Sequence, residues 1–269
     1  MTHTTYPELL LQRDGDIAIL TLNNPGRLNP IGATLQASLR TALADVAADR
    51  GVRALVLTGA GRAFCSGADL TGMTPDDTGR SLGNRSADAM HAVTNRLVSE
   101  LRALPMPVVC AINGVAAGGG LGLALAGDVV LAARSAYFYL PFMAKLGIVP
   151  DVGSSWFYQR LLGTGRATAL TLLGDRLPAD KAAAWGLVWD CVDDAVLMDQ
   201  ALAIARRLAL LPAHAALETR RAYEAAAGHT LDQQLDYEAE RQCELIDKPE
   251  FTEGVRAFLE KRPPRFAPR

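Results

Sequence analysis

The sequence predicts an α/β protein in which β-β-α units repeat through residues 1–200 and a helical region, 201–269, follows. Apolar runs at residues 17–22, 53–58 and 108–112 are bounded by Gly, Asn and Pro clusters, the pattern of buried strands. Leu35, Leu39, Leu43 and Val46 recur at helical spacing between the first two runs, so a helix covers the sheet they form. Beyond Pro178 the patterns become mostly helical and amphipathic, which is ordinary packing or a subunit contact rather than a separate binding module.

In order along the chain, residues 8–12 and 17–22 flank the turn Arg13-Asp14-Gly15-Asp16 and read as a hairpin. Asn23-Asn24-Pro25-Gly26 breaks the pattern before the covering helix. The run at 53–58 is continuous enough for a strand buried on both faces, and the glycine-rich stretch 59–72 follows it as a loop. Residues 74–85 are polar and poor in periodic apolars, which predicts a mobile segment. A helix over 87–104 ends before Pro105 and Pro107. After Asp128, short strands are expected at 129–132 and 137–140, a loop at 145–151, and a helix starting near Ser154. Residues 187–191 read as a last strand, with helices at 194–210, 213–227, 231–247 and 250–261.

The stretch from Pro107 to Asp128 organises the rest. Its strand breaks at Asn113-Gly114 and reaches Gly118-Gly119-Gly120, where a helix over 121–126 begins. The first amides of a helix lack internal partners, so glycine there lets a substrate oxygen approach bare N–H groups, which is half of an oxyanion hole. Close packing of helix on strand is the structural alternative for the same glycines. A membrane span is excluded by the turn, the glycine triplet and the absence of flanking Lys/Arg clusters. A dinucleotide loop is excluded too, because Gly59-Ala60-Gly61-Arg62-Ala63-Phe64 carries Phe64 where GxGxxG needs its third glycine.

Half the residues are hydrophobic (49%) and the net charge is only -2, which argues against disorder, a nucleic-acid partner and a polybasic membrane contact. The first sixteen residues carry no basic stretch ahead of a long apolar core, so no signal peptide is expected. Cys65, Cys110, Cys191 and Cys243 are scattered without CxxC pairing; reduced thiols of a cytoplasmic protein fit better than a disulfide frame or a metal site.

Phe64-Cys65-Ser66-Gly67-Ala68-Asp69-Leu70 after one strand, and Asn113-Gly114 with Gly118-Gly119-Gly120 after the next, resemble the crotonase (enoyl-CoA hydratase/isomerase) superfamily. The resemblance runs end to end through Leu22-Asn23-Asn24-Pro25, Leu28-Asn29, Ala183-Ala184-Trp185-Gly186-Leu187, Glu253-Gly254 and Ala257-Phe258-Leu259-Glu260-Lys261-Arg262. It implies a crotonase-like spiral of ββα turns, two roughly perpendicular sheets, and a C-terminal helical trimerisation region, with a homotrimer or a dimer of trimers as the assembly. It implies an acyl-CoA substrate whose thioester carbonyl is gripped by the backbone amides of Ala68 and Gly119, with no cofactor beyond the substrate's own coenzyme A and no metal. Both amides should then lie about 3 Å from one common point. It further implies Arg27, Ser66, Asp69, Leu70, Phe142 and Lys261 along the substrate or its CoA portion. For Arg27 and Lys261, solvated surface charge is the alternative reading.

The pattern departs from that of the hydratases, which use two glutamates on water. Their positions fall here on Gly122 and Phe142. The loop Ala144-Lys145-Leu146-Gly147-Ile148-Val149-Pro150-Asp151-Val152-Gly153 instead resembles that of phenylacetyl-CoA epoxide isomerases and Δ3,Δ2-enoyl-CoA isomerases, where the Asp after Pro is the acid/base. By itself Asp151 reads as a helix cap; the resemblance makes it catalytic, with Phe142, Leu146 and Val149 expected to desolvate it and Ser154 or Ser155 to cap the helix instead. One carboxylate that takes a proton from carbon and returns it two carbons away suffices for an isomerase. A hydratase or another lyase, a dehalogenase with Asp151 as nucleophile, and a catalytically silent acyl-CoA binder remain alternatives. His91 and Asn95 share a helical face, readable as pocket lining or structure, and Cys65 reads as small packing.

Overall fold

The computed structural model describes residues 3–74 and 79–267. The chain lays down β1 (His3–Tyr6), β2 (Leu9–Asp14) and β3 (Ile17–Leu22), then α1 (Ala33–Ala48), β4 (Ala54–Gly59), β5 (Ala63–Cys65), α2 (Leu82–Ala89) and α3 (Asn95–Arg102). It continues with β6 (Val108–Ile112), β7 (Val115–Ala117), α4 (Gly119–Leu125), β8 (Val129–Ala133), β9 (Tyr137–Tyr139), α5 (Ser154–Leu173), β10 (Arg176–Pro178), α6 (Ala179–Ala184) and β11 (Asp190–Val192). The tail is α7 (Leu197–Leu208), α8 (Ala215–Ala226), α9 (Leu231–Ile246) and α10 (Pro249–Leu259).

Two sheets result. The larger has the order β1-β2-β3-β4-β6-β8-β11, and the smaller the order β10-β9-β7-β5. From β4 to β9 the chain alternates between them, one strand in each before a helix, which is the expected β-β-α repeat in its physical form. The apolar runs are the parallel centre of the large sheet: Leu55, Val56 and Leu57 of β4 and Val108–Ile112 of β6 are wholly buried, as a strand covered on both faces must be. Helix α7 packs on β3, β4, β6 and β8, so position 201 falls inside a helix that covers the large sheet.

The small sheet is where the structure differs most from expectation. Residues 59–72 are not loop throughout: β5 lies within them and pairs in parallel with β7, which in turn pairs with β9. These strands are only three residues long, too short for alternation to register as a period. The helix expected over 87–104 is interrupted by a π-helical segment, Met90–Thr94. The last strand starts later than expected, since the Leu187 N–H closes α6 on Ala182 O and ladder pairing begins with Trp189 N–H on Val130 O. Of the polar stretch 74–85, residues 75–78 lie outside the described residues, and Ser81 caps α2 through the Asn84 N–H at 3.1 Å. Among the described residues no helix is long and apolar enough to cross a membrane.

Candidate active site

Three of the four strands of the small sheet, β5, β7 and β9, each hand the chain to one candidate residue. Ala68 follows β5, Gly119 follows β7, and Asp151 follows β9 by way of a π-helical turn, Phe142–Leu146. Because β5, β7 and β9 are parallel neighbours, their carboxyl ends open on the same side, the usual place for a site on parallel strands. Gly119 and Asp151, 51 and 83 positions after Ala68 in sequence, are thereby collected by topology alone.

The first two loops touch backbone to backbone. Gly67 has φ +90°, and a Cβ there would lie 2.7 Å from Ala117 O and 3.2 Å from Gly119 N; a side chain would both strain the turn and force the loops apart. Ile31 N donates to Gly67 O at 2.8 Å and Ser66 N to Leu28 O at 3.0 Å, fixing the peptide ahead of Ala68 from its other side. Among the described residues, neither the Ala68 nor the Gly119 N–H has a hydrogen-bond partner. Buried Phe142 closes on the same loops, its Cζ 3.7 Å from where a Gly118 Cβ would stand.

Asp151 is half-buried. Its Oδ1 is shielded from solvent and has no hydrogen-bond partner, and it lies 3.4 Å from the point a Gly119 Cβ would occupy. Burial raises its pKa above the ordinary 3.8, against a smaller opposing effect of its own backbone N–H. The carboxylate does not cap α5, and neither does a serine. Gly153 is the N-cap residue without a side-chain bond, while Ser154 Oγ donates to Gly118 O at 3.4 Å. Leu146 and Val149 are exposed, Val149 at 70%, so they are not the desolvating neighbours expected; Val152 is buried, its Cγ2 2.7 Å from the same Gly119 point. Val152 holds φ +51°, a conformation that a β-branched residue adopts only under constraint.

The two hydratase positions are filled. Phe142 occupies one, and at Gly122 any Cβ would overlap the Val152 carbonyl. Asp69 sits at the loop end, accepting from Thr71 N, Thr71 Oγ1 and Arg27 Nη2, the last at 2.8 Å. Thr71 first and Arg27 second pull its pKa to about 2. Leu70 is 53% exposed. Lys261 lies just beyond α10 with φ +54°, and neighbouring Arg262 is bound to Glu253 and Glu260. His91 is exposed in the π-helical segment; Asn95 instead lines a cavity of about 700 Å³ with Val98, Val152, Gly153, Trp156 and Phe157. Cys65 is buried, and burial pushes its thiol up to about 12, as inert packing requires.

A model of the enoyl-CoA hydratase/isomerase family matches residues 12–269. The chain belongs to that family. It is 45% identical over 252 residues to the 1,2-epoxyphenylacetyl-CoA isomerase of Escherichia coli (strain K12), covering 93% of this chain and 94% of that protein. Among solved structures, an enoyl-CoA hydratase from Polaromonas sp. JS666 superposes with a TM-score of 0.88 at 30% identity, over 96% of this chain and 99% of that one. An enoyl-CoA hydratase from Bacillus anthracis does so at 0.86 and 31%, over 96% and 98%. Two sheets and a helical C-terminal region are thus the crotonase fold.

Within this family fold, Asn29 and Asn113 stand out in the sequence only as members of the Leu28-Asn29 and Asn113-Gly114 motifs. In the structure both bond the chain between β4 and β5, Asn29 through Ala60 O, Asn113 through Gly61 O, and both through Ala63 O at the start of β5. Asn29 holds the left-handed φ of +53°.

Proposed function

We infer that the protein is an acyl-CoA isomerase in which the Ala68 and Gly119 amides hold the thioester oxygen and Asp151 carries the proton. The observation that carries this is the half-buried Asp151 carboxylate, whose shielded Oδ1 has no hydrogen-bond partner beside Gly119, in a site with no room for a glutamate at Gly122. Asp151 takes a proton from the carbon next to the carbonyl of a 3-enoyl thioester. The electron pair moves onto the thioester oxygen as a dienolate, which two preorganised donors stabilise by roughly 3 kcal/mol each. The same carboxyl returns the proton two carbons further on, leaving the conjugated 2-enoyl ester, so no group is consumed. The raised pKa of Asp151 fits a carboxyl that must both take and give. The identity with the Escherichia coli isomerase supports the same reading and makes an aromatic epoxide ester a second substrate to try.

In this reading Ser66, Asp69, Leu70 and Phe142 border the acyl thioester, and Arg27 and Lys261 face the CoA phosphates. The core to about residue 200 holds the site, and the helices after it join three copies or a dimer of trimers. The free thiols fit a cytoplasmic setting.

Incubation with a 3-enoyl-CoA is the test. Growth of conjugated-thioester absorbance is expected, with slow or absent water addition to a 2-enoyl-CoA. Fast hydration without isomerisation would make it a hydratase, and binding without either reaction a silent binder.

A further inference from the structure

The loop that leads to Ala68 is clasped by two side-chain amides. Asn29, wholly buried, points Nδ2 at three carbonyls: Ala60 O at 3.0 Å, Ala63 O at 2.9 Å and Phe64 O at 3.1 Å. Its Oδ1 accepts the Asn24 N–H at 2.8 Å. Only this orientation of the amide satisfies all four partners, since the reverse would set oxygen against three carbonyls. Asn113, at the end of β6, accepts the Gly59 N–H at 3.1 Å and donates to Gly61 O at 2.8 Å and Ala63 O at 3.2 Å. Ala63 O is the shared acceptor.

These two residues stand on different arms of the site. Asn29 reaches the segment four residues before Ala68, while Asn113 begins the segment that runs through β7 to Gly119. The arms also touch directly, since a Cβ on Gly114 would overlap Arg62 O. Neither asparagine is adjacent to either bare N–H, so neither would meet the substrate. We propose that Asn29 and Asn113 are positioning residues that fix the separation and aim of the Ala68 and Gly119 amides through the common Ala63 carbonyl.

The inference rests on the oxyanion reading above, and one spectroscopic measurement separates the two. A conjugated aromatic acyl-CoA analogue absorbs further to the red when hydrogen bonds polarise its carbonyl. Asn29→Asp keeps the side chain's shape, the Asn24 acceptor and tolerance of positive φ, but turns an oxygen toward the three carbonyls. Asn113→Asp does the same on the other arm.

The wild-type protein is expected to red-shift the bound analogue. Both variants should shift it less and lose roughly 10- to 100-fold in kcat, the scale of an ångström-sized misplacement, with KM changed little. The double variant should lose less than the product of the single losses, because the acceptor is shared. A folded variant with full red shift and wild-type kcat, only melting earlier, would reduce the clasp to a structural brace and overturn the proposal. Absence of any shift in the wild-type protein would overturn the oxyanion reading, and the clasp with it. Should Asn29→Asp not fold, Asn113→Ser, at a half-buried position, carries the same comparison.

Discussion

The small-sheet end of the molecule and the end made by α8, α9 and α10 are built on opposite terms. Around the site, Phe64, Cys65, Leu121 and Leu123 are wholly buried, and loop hydrogen bonds run to backbone carbonyls. In the tail, Tyr223, Leu231, Leu259 and Phe258 are exposed, Phe258 at 83%. Ion pairs do much of the fastening there. Arg220 of α8, 6% exposed, binds Asp128 together with the carbonyls of Arg102, Leu104 and Met106, and Glu253 is held well below the carboxylate range, first by Arg262 and then by Arg256. A catalytic geometry needs donors fixed before the substrate arrives, and the bonds that fix these loops run within the chain. A surface that exposes large apolar groups together is the kind on which another molecule docks.

Replacing Asp151 with Asn tests the first half of this contrast most severely. The amide is nearly isosteric but cannot exchange the proton, so turnover of a 3-enoyl-CoA should fall at least ~100-fold while ester binding survives. Wild-type turnover would leave the rigid site without its chemistry. Gly122→Ala comes next. The added methyl meets the Val152 carbonyl, an overpacking worth about 1–3 kcal/mol, and it should lower both Tm and activity by displacing Asp151; a variant as active and stable as the parent would show that the loop yields.

A third experiment uses pH. Because burial raises the Asp151 pKa, the folded state holds the proton more tightly than the unfolded chain. Its contribution to stability is therefore present below the ordinary 3.8 and lost as pH climbs through the raised value. Asp151→Asn should melt a few degrees above the wild type at neutral pH, with the gap closing toward pH 3.8; a constant gap would mean that the burial is immaterial. The smallest effect on the chain itself is expected in the tail, where Phe258→Ser and Leu259→Ser should leave the stability of a single subunit within about 0.5 kcal/mol. Light scattering should nevertheless show a smaller assembly. An unchanged mass would place the contact elsewhere, and a wild-type monomer would remove it.

The same contrast explains what could be read before the structure. Strands β3, β4 and β6 and the face of α1 at Leu35, Leu39 and Leu43 were legible because burial on both faces, or on one helical stripe, imposes a composition or a period on five or more residues. The small sheet imposes neither, and of its strands only β9 was read, at 137–140. Its strands are three residues long, and their order is set by crossovers through the other sheet. Ala68, Gly119 and Asp151 could be located by motif, but their convergence depends on that hidden sheet. Val152 gave no signal because its left-handed backbone opposes its own propensity, and Asn29 gave none of its role because its partners are carbonyls more than thirty positions away. Leu146 and Val149 misled for the complementary reason, since apolar character does not state which side of a loop a residue takes.

The overlap of the Val152 carbonyl with any side chain at position 122 has an evolutionary side. A side chain there and this turn of the Asp151 loop claim the same volume, so in the reading proposed above a single substitution to glutamate would have to move the loop and with it the aspartate. A methyl-sized conflict in the interior thus decides what position 122 can carry for as long as the loop keeps this turn.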